Sequence, residues 1–194
     1  MILVIDTSSA IGVLGVLAES GPEKQEFMFD PRQKPDLADQ LRRMTGGRPL
    51  TKVAVATGPG SFTGLRVGVS FGLGVAMGLR VPIVPLATLP LQAARSDEPV
   101  TAVSEAGRGR VYYLAPGGKA AIGEPGQVPT EHELVGWLKP ATHSALVAAG
   151  LRFKPEEQLR SLVEAAARML ETASEVAYGS LKVEYMQSFS PKSL

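Results

Sequence analysis

The chain has no cysteine in its 194 residues. Disulfides, thiolate metal sites and a cysteine nucleophile are therefore excluded. Histidine is scarce, with only His132 and His143. They share no helical face, stand near no carboxylate cluster and form no His-x-x-x-His pair, so a histidine metal centre is not expected. Aromatic residues are 6% of the chain, and one is tryptophan. Charge of one sign is also missing. A formal net charge of +1 provides no global field toward nucleic acid or membrane, so any RNA contact is expected to be local or shared with a partner. There is no block of like charge and no low-complexity tract, and 44% of residues are hydrophobic, which favours a packed core over disorder. The apolar stretch 65–79 is broken by glycines and short for a bilayer span. No basic leader precedes the first apolar segment, and the expectation is a soluble cytoplasmic protein.

What is present is a patterned α/β chain. Residues 2–6 read as a buried strand, followed by a Thr7-Ser8-Ser9 turn, a returning strand at 11–18, a turn at 20–22 and a third strand at 25–29. A helix opening at Pro35-Asp36 carries Leu37, Leu41 and Met44 at i, i+4 and i+7 and stops at Gly46-Gly47. A strand at 52–56, a glycine turn, a long helix over 61–79, a strand at 81–86 and a short Thr88-capped helix to 95 complete the first half. Residues 96–99 read as a boundary between a lobe of residues 1–98 and a smaller one of 99–194. The second half repeats the plan loosely. Strands at 100–103 and 110–115 flank a Gly107/Gly109 turn, with a third at 119–122. Thr130-Glu131-His132-Glu133 resembles a capping box that opens a helix to 138. A strand at 144–149 and a helix from 155 to 178 follow. This order implies an α/β fold, with a mixed sheet flanked by helices in each lobe.

The glycine turn Gly58-Pro59-Gly60-Ser61 stands between strand and helix, where backbone N–H groups can face an anion. It lacks the lysine of a Walker A loop and the G-x-G-x-x-G spacing of a dinucleotide loop. It also misses the G-x-S-x-G elbow of a serine hydrolase, although Ser61 does open a helix. Asp6, Thr7 and Ser8, at the exit of the first strand, could join Gly58, Gly60 and Ser61 in holding a nucleotide phosphate with Mg²⁺. An Asx/ST turn explains the same residues without a ligand. Arg108 and Arg110 with Tyr112 and Tyr113 read as a basic–aromatic cluster or a solvated hairpin edge.

The helix after the turn places Gly60, Gly64, Gly68, Gly72 and Ala76 every four residues, with Gly74 and Gly78 in a neighbouring row. Each interior glycine costs about 1 kcal/mol relative to alanine, so the row is expected to serve close backbone approach. It either packs on the chain's own sheet or meets a second subunit. Leu65, Val69, Leu73 and Met77 run alongside, and a helix apolar nearly all round is buried on more than one side.

Residues 2–8 and 57–68 closely resemble the bacterial family of tRNA threonylcarbamoyladenosine biosynthesis proteins TsaB, also called YeaZ. That family carries Asp-Thr-Ser after its first strand and Gly-Pro-Gly-Ser-Phe-Thr-Gly-Leu-Arg-[IV]-Gly about fifty residues later, and residues 58–68 match the second motif throughout. The resemblance covers the first lobe well and the second weakly. It implies an actin/Hsp70/sugar-kinase-like (ribonuclease H-like) two-lobe fold and a non-catalytic subunit. The implied partners are a homologous catalytic subunit, TsaD, and a small ATPase, TsaE. The implied reaction is threonylcarbamoyl transfer to an adenine of tRNA, with tRNA reached only indirectly. It also implies docking through two first-lobe helices, here 35–45 and 61–79. The expected interface is then Leu37, Leu41, Met44, Gly64, Leu65, Gly68, Val69, Gly72, Leu73 and Ala76, with a homodimer in the isolated chain. A site for ATP/ADP with Mg²⁺ at the subunit interface is left open.

Three departures from the family stand out. Lys34-Pro35-Asp36 replaces His-Ser-Glu, Glu105-Ala106-Gly107 replaces Asp-Ala-Arg before Val111-Tyr112, and Tyr185-Met186-Gln187 replaces Tyr-Leu-Arg. They imply a degenerate second lobe with weak or absent nucleotide hydrolysis of its own. A stand-alone actin-like ATPase or small-molecule kinase using Asp6, Thr7 and the glycine turn is the alternative.

Overall fold

The computed structural model describes residues 1–19, 23–33, 35–184 and 186. The turn expected at 20–22, Lys34, Tyr185 and Gln187 lie outside the described residues. The first sheet has five strands: β1 (Ile2–Asp6), β2 (Gly12–Leu17), β3 (Lys24–Phe29), β4 (Lys52–Gly58) and β5 (Ile83–Ala87), in the order β3-β2-β1-β4-β5. β1, β2 and β3 form an antiparallel meander, while β1, β4 and β5 run parallel. Central strands covered on both faces read as continuous apolar runs, and β1 and β4 do so. Alternate residues divide between the faces. Leu3 and Ile5 point to one side with Leu14, Val53 and Val55, and Val4 points to the other with Val13, Ala54 and Val84.

Two helices cover the Leu3/Ile5 face: α1 (Leu37–Thr45), through Leu41 and Met44, and α2 (Phe62–Leu79), through Ala76. Asp36 caps α1 by accepting from the Asp39 N–H at 2.9 Å, and Gly46 ends it in the left-handed conformation. The other face meets α3 (Thr88–Ala93) and a helix from the second half of the chain.

The second sheet holds β6 (Thr101–Gly107), β7 (Arg110–Leu114), β8 (Ala121–Gly123) and β9 (Leu134–Val135), in the order β8-β7-β6-β9. After β9 come α4 (Pro140–Ala148) and a single parallel bridge between Leu134 and Phe153. α5 (Leu162–Leu170) then returns to the first sheet, where Leu162, Ala165 and Ala166 join Val4, Val13 and Ala54. Residues 173–184 strap the free edge of β5 and one flank of α2. Val176 N–H donates to Ile83 O at 3.0 Å and Glu184 N–H to Thr57 O at 2.8 Å. The Tyr178 hydroxyl lies 3.1 and 2.8 Å from the carbonyls of Ala76 and Val81 and donates to one at a time.

Three expected elements of the second half come out differently. Residues 130–133 do not open a helix. Leu134–Val135 is β9, because Thr101 N–H donates to Glu133 O and Thr101 and Ala102 pair with Leu134 and Val135. The strand expected at 144–149 belongs to α4, which Pro140 begins from the first turn. The helix expected from 155 to 178 is only α5. Ser161 and Glu164 form a reciprocal capping box that starts it at Leu162, after a 3₁₀ turn at Glu156–Gln158.

By length and composition α2 is long and apolar enough to cross a membrane, with mean hydropathy 1.4. Its place is set instead by the strands it joins. β4 and β5 are parallel neighbours, and α2 is the crossover between them, with Gly64, Gly68 and Gly72 against β1 and the turn after it.

Candidate functional site

The turns after β1 and β4 meet at the same end of adjacent parallel strands, where ligands of open α/β sheets bind. The structure brings Asp6, Thr7, Ser8, Gly58, Gly60 and Ser61 together there, but they engage one another. Ser61 N–H donates to Ser8 O at 2.7 Å, and Gly58 N–H to Thr88 Oγ1 at 3.1 Å. The Thr88 hydroxyl donates to Ser8 Oγ at 3.3 Å, and the Ser8 hydroxyl and N–H both donate to Asp6 Oδ1, at 2.6 and 2.8 Å. Ser61 Oγ caps α2 by accepting from Gly64 N–H at 3.3 Å. A Cβ at Gly60 would lie 2.6 Å from Ser8 O and 3.2 Å from Ser104 Oγ. Gly58, at φ 115°, faces Glu184 O, 2.6 Å from where its Cβ would stand. The concavity that a phosphate would need is filled by the chain's own atoms. These residues, as arranged, do not fit a nucleotide phosphate.

Buried oxygens in and beside the junction are left over: Asp6 Oδ2, Ser9 Oγ and Ser104 Oγ. Asp6 is fully buried, and its Oδ2 makes no hydrogen bond. Burial pushes its carboxyl pKa up; the Ser8 hydrogen bonds, and then Gln92 and Arg95 nearby, pull part of the way back.

Residues the sequence reading passed over hold the two halves together. Arg95, at 2% exposure, stacks on Trp137 with Cζ 4.1 Å from the ring centroid. It donates to Arg160 O at 3.0 Å and Gln92 Oε1 at 3.3 Å, and pairs with Glu156. Lys154 pairs with Glu98, and Asp97 pairs with Arg160 and Arg168. Within the second half, Glu105, one of the residues that depart from the family motif, accepts from Lys139 N–H at 2.7 Å. The spacing of Arg95 to its partners, more than forty residues to Trp137, carries no local signal.

The other candidates separate in space. Arg108 sits exposed at the hairpin tip with φ 56°, whereas Tyr112 is buried with Leu89 and Ala102. His143 stacks on Phe153 with ring centroids 4.2 Å apart. Among the described residues no group of three His, Asp or Glu stands close enough to share a metal.

Most residues of the expected interface face inward in this chain. Leu37, Leu41, Met44 and Leu65 are buried within the chain. The glycine row also faces inward. A Cβ at Gly64 would sit 1.8 Å from Thr7 O, at Gly68 2.4 Å from Thr7 Oγ1 and at Gly72 3.1 Å from Ile5 Cδ1, with Ala76 buried below them. The Thr7 hydroxyl donates to Gly64 O at 2.6 Å. Val69 and Leu73 are half-buried on the flank. What α2 leaves open is the opposite side: Phe62, Val67, Met77 and Leu79 at 40, 49, 54 and 54% exposure, with Ser70 between them. Nothing comes within 4 Å of a Cβ built on Gly74 or Gly78.

Residues 44–128 match the family model described as TsaD: tRNA N6-adenosine threonylcarbamoyltransferase. The tRNA threonylcarbamoyladenosine biosynthesis protein TsaB of Bacillus subtilis (strain 168) is 39% identical over 66 residues, 32% of this chain and 29% of that protein. The protein of the same name from Escherichia coli (strain K12) is 32% identical over 125 residues, 58% of this chain and 53% of that protein. The chain thus spans about half or less of these curated relatives. Among solved structures, YeaZ from Pseudomonas aeruginosa superposes with a TM-score of 0.70 at 21% identity, covering 95% of this chain and 99% of that one. The fold is therefore an α/β fold of mixed sheets flanked by helices, shared with YeaZ. Within that fold the chain is similar to the TsaB and YeaZ proteins, in sequence over part of its length and in fold over nearly all of it.

Proposed function

We propose that this protein is a non-catalytic scaffold subunit in the synthesis of tRNA threonylcarbamoyladenosine, docking a TsaD-like catalytic subunit, with a TsaE-like ATPase as the further partner. The names of its relatives support the pathway. One observation carries the scaffold role: α2 exposes Phe62, Val67, Met77 and Leu79 on its outer side, interspersed with Thr63, Arg66 and Ser70, in a chain whose candidate phosphate turn is closed. The two sheets, with matching strand order and facing helices, support an actin-like two-lobe reading divided near residue 98. α5 crosses back to brace the first lobe. A cytoplasmic location and indirect contact with tRNA follow from the same role. The stand-alone ATPase reading loses its footing, because the N–H groups of Gly58 and Ser61 are spent within the chain. ATP/ADP with Mg²⁺, if the complex uses it in this region, would sit where a partner contributes the donors.

Co-purification with the candidate catalytic subunit, followed by size exclusion on dilution, tests the proposal. A stable heterologous complex is expected. Turnover of ATP by this chain alone, with no complex formed, would instead favour the ATPase.

A further inference from the structure

The two sheets have four edges, and three are covered or short. The outer edge of β5 bridges to Val176, and Leu134 of β9 bridges to Phe153. β8 is three residues long. β3, six residues long, ends the first sheet with β2 as its only neighbour among the described strands. The ladder fixes which of its groups face out. Ala18 N–H donates to Glu23 O at 2.9 Å, and β2 and β3 keep one register from there to Gly12 and Phe29. Hydrogen-bonded pairs alternate along an antiparallel ladder. Gln25, Phe27 and Phe29 therefore bond to β2, and the N–H and C=O groups of Lys24, Glu26 and Met28 point outward. Among the described residues nothing bonds to these six groups.

Charged side chains guard an edge when they stand over it. Here they are drawn aside to α5: Lys24 pairs with Glu164, and Glu26 accepts from Val163 N–H at 2.9 Å. Met28 is exposed. We propose that β3 pairs antiparallel with β3 of a second copy, joining two five-stranded sheets across a two-fold axis at Phe27. The strand's own residues select that register. Centring on Glu26 would set like charges directly opposite. Centring on Gln25 would leave the outward groups of Met28 unpaired. Centring on Phe27 sets Glu26 against Met28 of the second copy, with their main-chain groups exchanged, and Lys24 against Asp30 of the second copy. Lys24 and Asp30 hold exposed ion pairs within the chain, with Glu164 and Arg32, and surface pairs of that kind re-form readily. Phe27 stacks on Phe29 with ring centroids 5.6 Å apart, so a Phe27 pair at the axis extends an aromatic row. This edge is at the far end of the sheet from β5, and its failure would leave the reading of α2 untouched.

The absence of cysteine makes the test direct. Opposite residues of a non-hydrogen-bonded pair have Cα atoms about 4.5 Å apart, within disulfide reach. Phe27→Cys should therefore form a covalent dimer under mild oxidation. Gln25→Cys, about 14 Å from its equivalent in this register, should not. Ser70→Cys, on the exposed side of α2, reports association through that helix instead. In sedimentation the wild type should dimerise as concentration rises. Met28→Pro should weaken that dimer about tenfold or more, because proline removes an outward N–H and leaves the β2 ladder intact. Thermal unfolding checks that each variant folds. A monomer at every concentration, a dimer indifferent to Met28→Pro, or cross-linking at Ser70→Cys alone would overturn the proposal. Cross-linking at Gln25→Cys in place of Phe27→Cys would overturn the register.

Discussion

In the first sheet the crossover from β4 to β5 is the 18-residue α2, and in the second the corresponding crossover, from β9 to the Phe153 bridge, is the nine-residue α4. The rest of the comparison follows the same line. β3-β2-β1-β4 and β8-β7-β6-β9 share one order, but α1 has only a 3₁₀ turn at Pro125–Gln127 as its counterpart, and β5 only a bridge. The second repeat retains enough to support its sheet and brace the first. The first invests in close helix–sheet packing and in a helix with two working sides. A sheet needs one covered side of its crossover helix, and the outer side of α2 is the side that β1 and β4 do not use.

The contrast between the sides of α2 can be broken most sharply at Gly64. Gly64→Ala puts a methyl where Thr7 O already sits at 1.8 Å. A loss of about 3 kcal/mol is expected in urea unfolding, since neither backbone can yield. Gly68→Leu meets Thr7 Oγ1 and should likewise act on folding, so its effect on partner binding would say nothing about the interface. The link between the halves is next. Arg95→Leu leaves Gln92 Oε1 and Arg160 O unpaired and removes the Trp137 stack, for an expected loss of about 2 kcal/mol. At Gly74, where the helix is open, Gly74→Ala should stabilise by about 0.5–1 kcal/mol through helix propensity. The same substitution thus has opposite signs on the two sides of one helix.

The smallest effect is in pH dependence. Burial raises the Asp6 pKa above its ordinary 3.8. Between that value and the raised one, the folded state keeps a proton that the unfolded state releases. The Asp6 contribution to stability is therefore full at low pH and falls as pH rises through the folded pKa. The carboxylates of Asp30 and Asp97, held low by Arg32 and by Arg160 with Arg168, slope the opposite way. The informative quantity is the difference between wild type and Asp6→Asn, which should be smallest at the acid end and move in favour of Asp6→Asn toward neutral pH. A constant difference would show that Asp6 is not desolvated in the folded state.

Much of the first repeat is legible in the sequence. Its strands alternate in the core, α1 carries Leu37, Leu41 and Met44 at helical spacing, and the β4–turn–α2 unit is long and periodic. The meeting of Asp6 with Gly58 and Gly60 also follows from two turns leaving adjacent strands. The closure of that junction does not, because Ser104 and Glu184 reach it from distant segments. Nor does the direction of the glycine row, since periodicity fixes a face but not which neighbour covers it. The second repeat is harder to read because its elements are short. β9 is two residues held by pairing with β6, and α4 has no side-chain cap and little polar contrast. The capping box Ser161–Glu164 is a local signal for α5, obscured because Leu159 also falls at helical spacing with Leu162, Val163 and Ala166.

The account turns on the outer face of α2 belonging to a partner and the inner face to the chain. Gly74→Leu fills only open space, so it is the substitution to measure by titration against the catalytic subunit, with thermal unfolding of the free protein alongside. Loss of at least tenfold in affinity at an unchanged melting temperature is the expected result. Wild-type affinity in the folded variant would contradict it.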